Sequence, residues 1–238
     1  MTTVILLRHG RTTANTAGVL AGWTPGVRLD DTGAAQVQAV AQRLSGVPLA
    51  AVVSSPLERC QQTSTAVLGA QRVAGRELEL QTDDRLGEAR YGDWTGRPIK
   101  ELVKDPLWKV VQQHPSAAVF PGPEGEGLAQ TQARAVAAVR EWNARLGPDA
   151  VWLACSHGDV IKAVLADAFG MHLDAFQRIV VDPASISVVS YTDTRPFVAR
   201  VNDTGGDVAA LIPPKKKRSR RKPSSDAVVG GGAGAGAA

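Results

Sequence analysis

The stretch VILLRHGRTT, Val4 to Thr13, runs four apolar residues straight into Arg8, His9 and Arg11. Two guanidiniums beside one imidazole repel one another unless solvent separates them or an anion sits between them. A second histidine repeats the setting, because His157 follows the apolar run of AVWLACSHG. These are two of the chain's four histidines, and each stands as His-Gly after an apolar run; His114 and His172 lack that setting. Arg59 follows another apolar run in LAAVVSSPLER, and Glu88 offers a carboxylate in GEARYGDWTGR. Taken singly, each residue fits a packing or solvated role. Taken together, they describe a cationic, imidazole-bearing site for an anion, with a carboxylate at hand.

Such a site needs elements that bring its parts together. TVILLR reads as a buried strand, LAAVVSSP as a second and AVWLACSHG as another. LELQ adds a short strand. DDTGAAQVQAVAQRL starts on Asp and spaces its apolar residues for an amphipathic helix. LERCQQTSTAVL follows Pro56 as a helix, GLAQTQARAVAAVREWNARL closes at Gly147-Pro148, and DVIKAVLADAFG runs from Asp159 to Gly170. SISVVSYT and FVARVND alternate as late, antiparallel strands. Strands alternating with helices predict an α/β fold, a three-layer α/β/α sandwich with a mainly parallel central sheet. In such sheets ligands gather beyond the carboxyl ends of the strands. The RHG, SSPLER and SHG clusters all fall there. Residues 85–127, rich in Gly, Pro and aromatics, read as a lid with short helices at PIKELV and PLWKVVQQH.

The formal charge of +4 misleads. From Ile212 onward lie seven of the 27 Lys/Arg and one of the 23 Asp/Glu, which leaves 20 basic and 22 acidic residues in the body. The body is therefore not a basic nucleic-acid surface. Residues 1–212 form the expected domain, and 213–238 an expected disordered tail, basic and then Gly/Ala-rich. The tract KKKRSRRK offers a weak polyanion contact or simply a solvated tail. No apolar run approaches the ~20 residues of a membrane span. The N-terminus lacks a signal-peptide pattern, and Cys60 and Cys155 read as free thiols, so a cytoplasmic location is expected. No paired histidines, HExxH or Cys/His cluster supplies a metal site, and no cofactor is expected.

Four segments, LLRHGRTTAN, SSPLERCQQT, GEARYGDWTGR and SHGDVIKAVL, resemble in order and spacing the signatures of the histidine phosphatase superfamily, branch 1, the phosphoglycerate-mutase-like branch. The resemblance covers Thr3 to Asp203. It implies that His9 is a nucleophile forming a phosphohistidine, and that Glu88 is the general acid and then base. It implies that Arg8, Asn15, Arg59 and His157 grip the phosphoryl oxygens. Arg11, Trp23, Arg90 and Tyr91 are candidates for substrate contact. Arg11 stands where many relatives carry Glu or Gln, and FPGPEGEGLAQTQAR lacks the family's usual serine. The implied activity is a metal-independent phosphatase acting on a small-molecule phosphate ester. A cofactor-dependent phosphoglycerate mutase and a non-catalytic phospho-ligand binding module are the alternatives. A mutase must hold a second phosphate, and here the region after Glu88 offers only Arg90, Arg97, Lys100, Lys104 and Lys109, without the mutases' arginine pair and proline run.

Overall fold

The computed structural model describes residues 1–205 and Gly230. In chain order its elements are β1 (Thr2–Arg8), α1 (Thr13–Ala17), α2 (Asp31–Leu44), β2 (Ala51–Ser54), α3 (Glu58–Val73), β3 (Leu80–Thr82), α4 (Ile99–Leu102), α5 (Pro106–Gln113), α6 (Leu128–Leu146), β4 (Val151–Ser156), α7 (Gly158–Ala168), β5 (Ile186–Tyr191) and β6 (Pro196–Asp203). The strands form one sheet in the order β3-β2-β4-β1-β5-β6. The first four in that order are mutually parallel, and β5 and β6 add an antiparallel edge. The expected three-layer arrangement is therefore present. The tail expected over 213–238 lies outside the described residues, apart from Gly230.

Strand periodicity divides the core in two. Val4 and Leu6 of β1 face one side with Trp152 and Ala154 of β4, under Ala135 and Val139 of α6 and Val160 and Val164 of α7. Ile5 and Leu7 face the other with Leu153 and Cys155, under Val37, Val40 and Leu44 of α2 and Val67 of α3. Both faces are covered, which is why these strands read as unbroken apolar runs. Asp30 caps α2 by accepting from the Gly33 N–H at 2.7 Å.

Register sets the site. Arg8 of β1 pairs with Ser156 of β4, and Ser54 of β2 pairs with Cys155. The chain leaves all three strands at one end of the sheet, so His9, Ser55 and His157 emerge as neighbours. Gly10 lets the chain turn there against α2. A Cβ on Gly10 would lie 2.6 Å from Val37 Cγ2 and 2.7 Å from the Gly33 carbonyl oxygen.

Three readings of the sequence shift. β3 begins at Leu80 rather than Leu78, and α3 runs on to Val73. The five-residue α1 carries no apolar periodicity; a reciprocal cap between Thr12 and Asn15 starts it. The segment expected as a lid is a packed wall. Leu86, Tyr91, Trp94, Leu102, Val111 and Phe120 are buried in the core on the α6/α7 side. Trp94 stacks on Trp108 with centroids 6.1 Å apart and meets Phe120 edge-on at 5.5 Å. Tertiary contact, rather than periodicity, places these rings.

Candidate active site

Arg59 is the hub of the site. It stands in the first turn of α3 and is buried at 2% exposure. Its Nε donates to His9 Nε2 at 3.3 Å, and its Nη2 donates to the Gly22 carbonyl at 2.9 Å and to His157 Nδ1 at 3.2 Å. Its Nη1 is buried with no hydrogen-bond partner among the described residues. A buried, unsatisfied cationic donor is costly, and a phosphoryl oxygen is the acceptor its geometry suits.

Those contacts fix both histidine tautomers. His9 Nδ1 lies 2.7 Å from the carbonyl oxygen of Gly10, so Nδ1 carries the proton and donates there. Nε2 keeps its lone pair. His157 Nδ1 accepts from Arg59, so its Nε2–H donates to Ser55 Oγ at 2.8 Å. The rings stand edge to face, with centroids 5.2 Å apart. Burial, then the charges of Arg59 and Arg8, hold the His9 imidazole well below its ordinary pKa. Burial and Arg59 do the same to His157. Both rings are therefore neutral near pH 7, which removes the repulsion posed by the RHG stretch.

Arg8 is fully buried, and its Nη1 donates to the Val181 carbonyl at 2.8 Å. Its Nη2 lies 3.4 Å from the Gly230 carbonyl oxygen. Burial lowers its pKa, opposed by Glu88 and Asp159. Glu88 sits at the cavity edge at 3% exposure, and its Oε1 accepts from the Ala89 N–H at 3.0 Å. Its Oε2 lies 3.8 Å from His157 Nδ1. Burial first and Asp159 second push the Glu88 carboxyl up to about 7, against the pull of Arg59 and Arg8. A proton is thus available near neutral pH.

The chain around Glu88 is pinned from behind. The Trp23 indole N–H donates to the Glu88 carbonyl at 2.7 Å. Arg134 of α6 donates to the carbonyls of Gly87 and Glu88 at 2.9 and 3.0 Å while paired with Glu126. Glu126 also accepts from the Arg90 N–H at 3.0 Å. The region lacking the family's serine therefore positions the carboxylate segment.

His9, Arg59, Glu88, Asn15 and Tyr91 line one cavity of about 430 Å³. Asn15 spends its side-chain oxygen on the Thr12 N–H and hydroxyl, which leaves its amide hydrogens to donate. Three candidates stand apart. Arg11 is held by Asp30 at 2.8 Å and is not in the cavity wall. Arg90 lies over the Trp23 ring at 4.2 Å and reaches Glu124, and both line a separate surface pocket. His114 and His172 are exposed beside Asp174. Sequence reasoning passed over Ser55, Arg134, Asp159 and Lys162. Among the described residues no group of three or more His, Cys, Asp or Glu could hold a metal ion, and no helix is long and apolar enough to cross a membrane. Cys60 and Cys155 are buried free thiols.

Fold and site define the class, an enzyme that works on phosphate esters with a histidine at its centre. Comparison with known proteins agrees. A family model described as histidine phosphatase superfamily (branch 1) matches residues 4–204. The probable phosphoglycerate mutase GpmB of Yersinia pestis (strain Pestoides F) is 31% identical over 216 residues, 89% of this chain and 95% of that one. The fructose-2,6-bisphosphatase TIGAR of Xenopus tropicalis is 37% identical over 130 residues, 55% of this chain but only 46% of that protein. The crystal structure of the alpha-ribazole phosphatase of Shigella flexneri matches the fold with a TM-score of 0.73 at 24% identity, over 87% of this chain and 98% of that one. The chain belongs to the histidine phosphatase superfamily, branch 1.

Proposed function

We propose that the chain is a phosphomonoester hydrolase that acts on a small phosphorylated metabolite through a phosphohistidine on His9. The observation that carries this reading is the His9 tautomer. With its Nδ1–H committed to the Gly10 carbonyl, the ring keeps a neutral Nε2 whose lone pair accepts from Arg59 Nε and is freed for attack when that donor turns to a phosphoryl oxygen. In the first step Nε2 attacks phosphorus, the P–O bond to the leaving group breaks, and the departing oxygen takes the Glu88 proton. Arg59 and Arg8 hold the non-bridging oxygens, with Asn15 and His157 beside them, and their charge stabilises the transition state. In the second step the Glu88 carboxylate takes a proton from water as its oxygen attacks phosphorus. The P–N bond breaks, and inorganic phosphate and neutral His9 are restored.

The GpmB likeness raises phosphoglycerate mutase as a second reading. A mutase holds a second phosphate, yet among the described residues the cavity wall brings in, beyond Arg59, one further cation, Lys100. Water is therefore the favoured acceptor. Protein groups carry every step as drawn, so the reaction is read as metal-independent. The test is rapid-quench labelling with a 32P ester in chelator, together with a panel that includes 3-phosphoglycerate and 2,3-bisphosphoglycerate. Acid-labile label on His9, and phosphate released faster than 2-phosphoglycerate forms, are expected. No label on active protein would refute the covalent route, and faster isomer formation would make the chain a mutase.

A further inference from the structure

Glu88 is not the only buried carboxylate beside this cavity. Asp159 lies in the first turn of α7, two residues after His157, at 0% exposure. The two carboxylates have unequal partners. Asp159 Oδ2 accepts from the Tyr91 hydroxyl at 3.0 Å and from the Gly230 N–H at 2.8 Å. Its Oδ1 faces the Lys162 ammonium at 3.4 Å. Lys162 is itself buried, with Gln177 Oε1 at 3.1 Å. Glu88 receives one hydrogen bond, from Ala89. The nearest nitrogen to its Oε2 is His157 Nδ1, which already accepts from Arg59 and has no proton to give. Tyr91 and Gly230, the donors to Asp159 Oδ2, line the same cavity as Glu88. Among the described residues three donors gather on one carboxylate and one on the other, an asymmetry that favours the proton on Glu88.

Burial opposes the arginines first, and Asp159 acts with it. Arg59 from α3 and Arg8 from β1 both face Glu88, and alone they would strip its proton. His9 and His157 are neutral, and Arg134 from α6 is paired with Glu126 and touches only the backbone of the Glu88 segment. We infer that Asp159 is a positioning residue for the acid: a fixed buried charge, anchored by Lys162 and Tyr91, that makes Glu88 keep its proton until the ester bond breaks. This rests on the reading of Glu88 as the acid. The raised Glu88 pKa, with Asp159 as its second cause after burial, agrees.

The test uses the full chain carrying Asp159→Asn, which keeps the side-chain size. The double variant Asp159→Asn/Lys162→Gln removes both charges, in case the single change strands Lys162. Infrared titration of the resting protein follows the carboxylic-acid band that Glu88→Gln removes. In both Asp159 variants this band should titrate about one pH unit lower than in wild type. The basic limb of kcat/KM on an alkyl phosphate should move down with it. First-turnover nitrophenolate release from p-nitrophenyl phosphate, which needs no acid, should keep its wild-type pH profile. A band and limb that stay in place while rates fall uniformly would overturn the inference and leave Asp159 a merely structural residue. If the chain cleaved no ester at all, the proposed function would fail while the infrared titration still decided the role of Asp159.

Discussion

Replacing Glu88 with Gln tests the chemistry most directly, because the structure says what the change spares. The Ala89 N–H can still donate to the side-chain oxygen at position 88, and Trp23 and Arg134 still hold the backbone carbonyl. Geometry is kept and only the ionisable proton is lost. An alkoxide is a strong base and cannot leave unaided, whereas nitrophenolate can. Positioned proton transfer contributes about 10²–10⁴ in rate, or roughly 3–5 kcal/mol of barrier. Loss of that order is expected on an alkyl phosphate, with a much smaller loss of phosphorylation rate on p-nitrophenyl phosphate. The second step also needs Glu88, so phosphoenzyme should accumulate on the activated ester. Stopped-flow traces should show a nitrophenolate burst and then a slow steady state. The wild-type pH profile gives an independent check of sign. The Glu88 carboxyl is raised to about 7, so between the ordinary glutamate range and pH 7 it still carries the proton. Alkyl-ester cleavage by free enzyme should therefore fall as pH rises through about 7, and this limb should vanish in Glu88→Gln. Equal slowing of both esters with no burst would refute the assignment, since the proton would then come from another group.

Two further outcomes follow from contacts around the site. Gly10→Ala would drive a methyl into Val37 and the Gly33 carbonyl, and forced overpacking of this kind costs about 1–3 kcal/mol. Calorimetry should show a melting temperature lower by roughly 2–12 °C, and an unchanged value would show that the β1–α2 contact yields freely. Ending the chain after Gly205 removes Gly230, whose carbonyl lies against Arg8 and whose N–H lies on Asp159. Freeing Arg8 of an acceptor worth about 1 kcal/mol should lower KM about fivefold at near-constant kcat, whereas a higher KM would mean that Gly230 completes the pocket.

The sequence made the mouth of the sheet legible because fully buried parallel strands advertise themselves as apolar runs. The residue that ends each run must then lie at the same edge. His9 and His157 follow such runs directly and Arg59 stands in the helix after a third, and the register of β1, β4 and β2 brings those ends together. Asp159 and Lys162 escaped notice for the opposite reason. An i, i+3 acidic–basic pair on a helix ordinarily marks its wet face. In α7 almost every residue is buried, so the pair lies inside and its charges act on the site. Arg11 failed in the other direction. Its partner Asp30 is 19 residues away, at the cap of α2, and no local pattern announces the pairing. The wall over residues 85–127 was misread as a lid because its rings are placed singly by contacts across the chain.

The site must also tolerate its own charge. A buried guanidinium would be prohibitive without acceptors, and around Arg59 the fold supplies neutral ones: the Gly22 carbonyl and the lone pairs of His9 and His157. Neutral acceptors solvate an arginine without cancelling its field. An ion pair to Arg59 would have weakened its hold on a dianion. The nearest carboxylates confirm the rule by their exceptions. Asp159 is drawn off by Lys162 and Tyr91, and Glu88 is held in its proton-bearing form. Arg59 Nη1 is buried with no hydrogen-bond partner among the described residues, a cost that a phosphoryl oxygen would relieve.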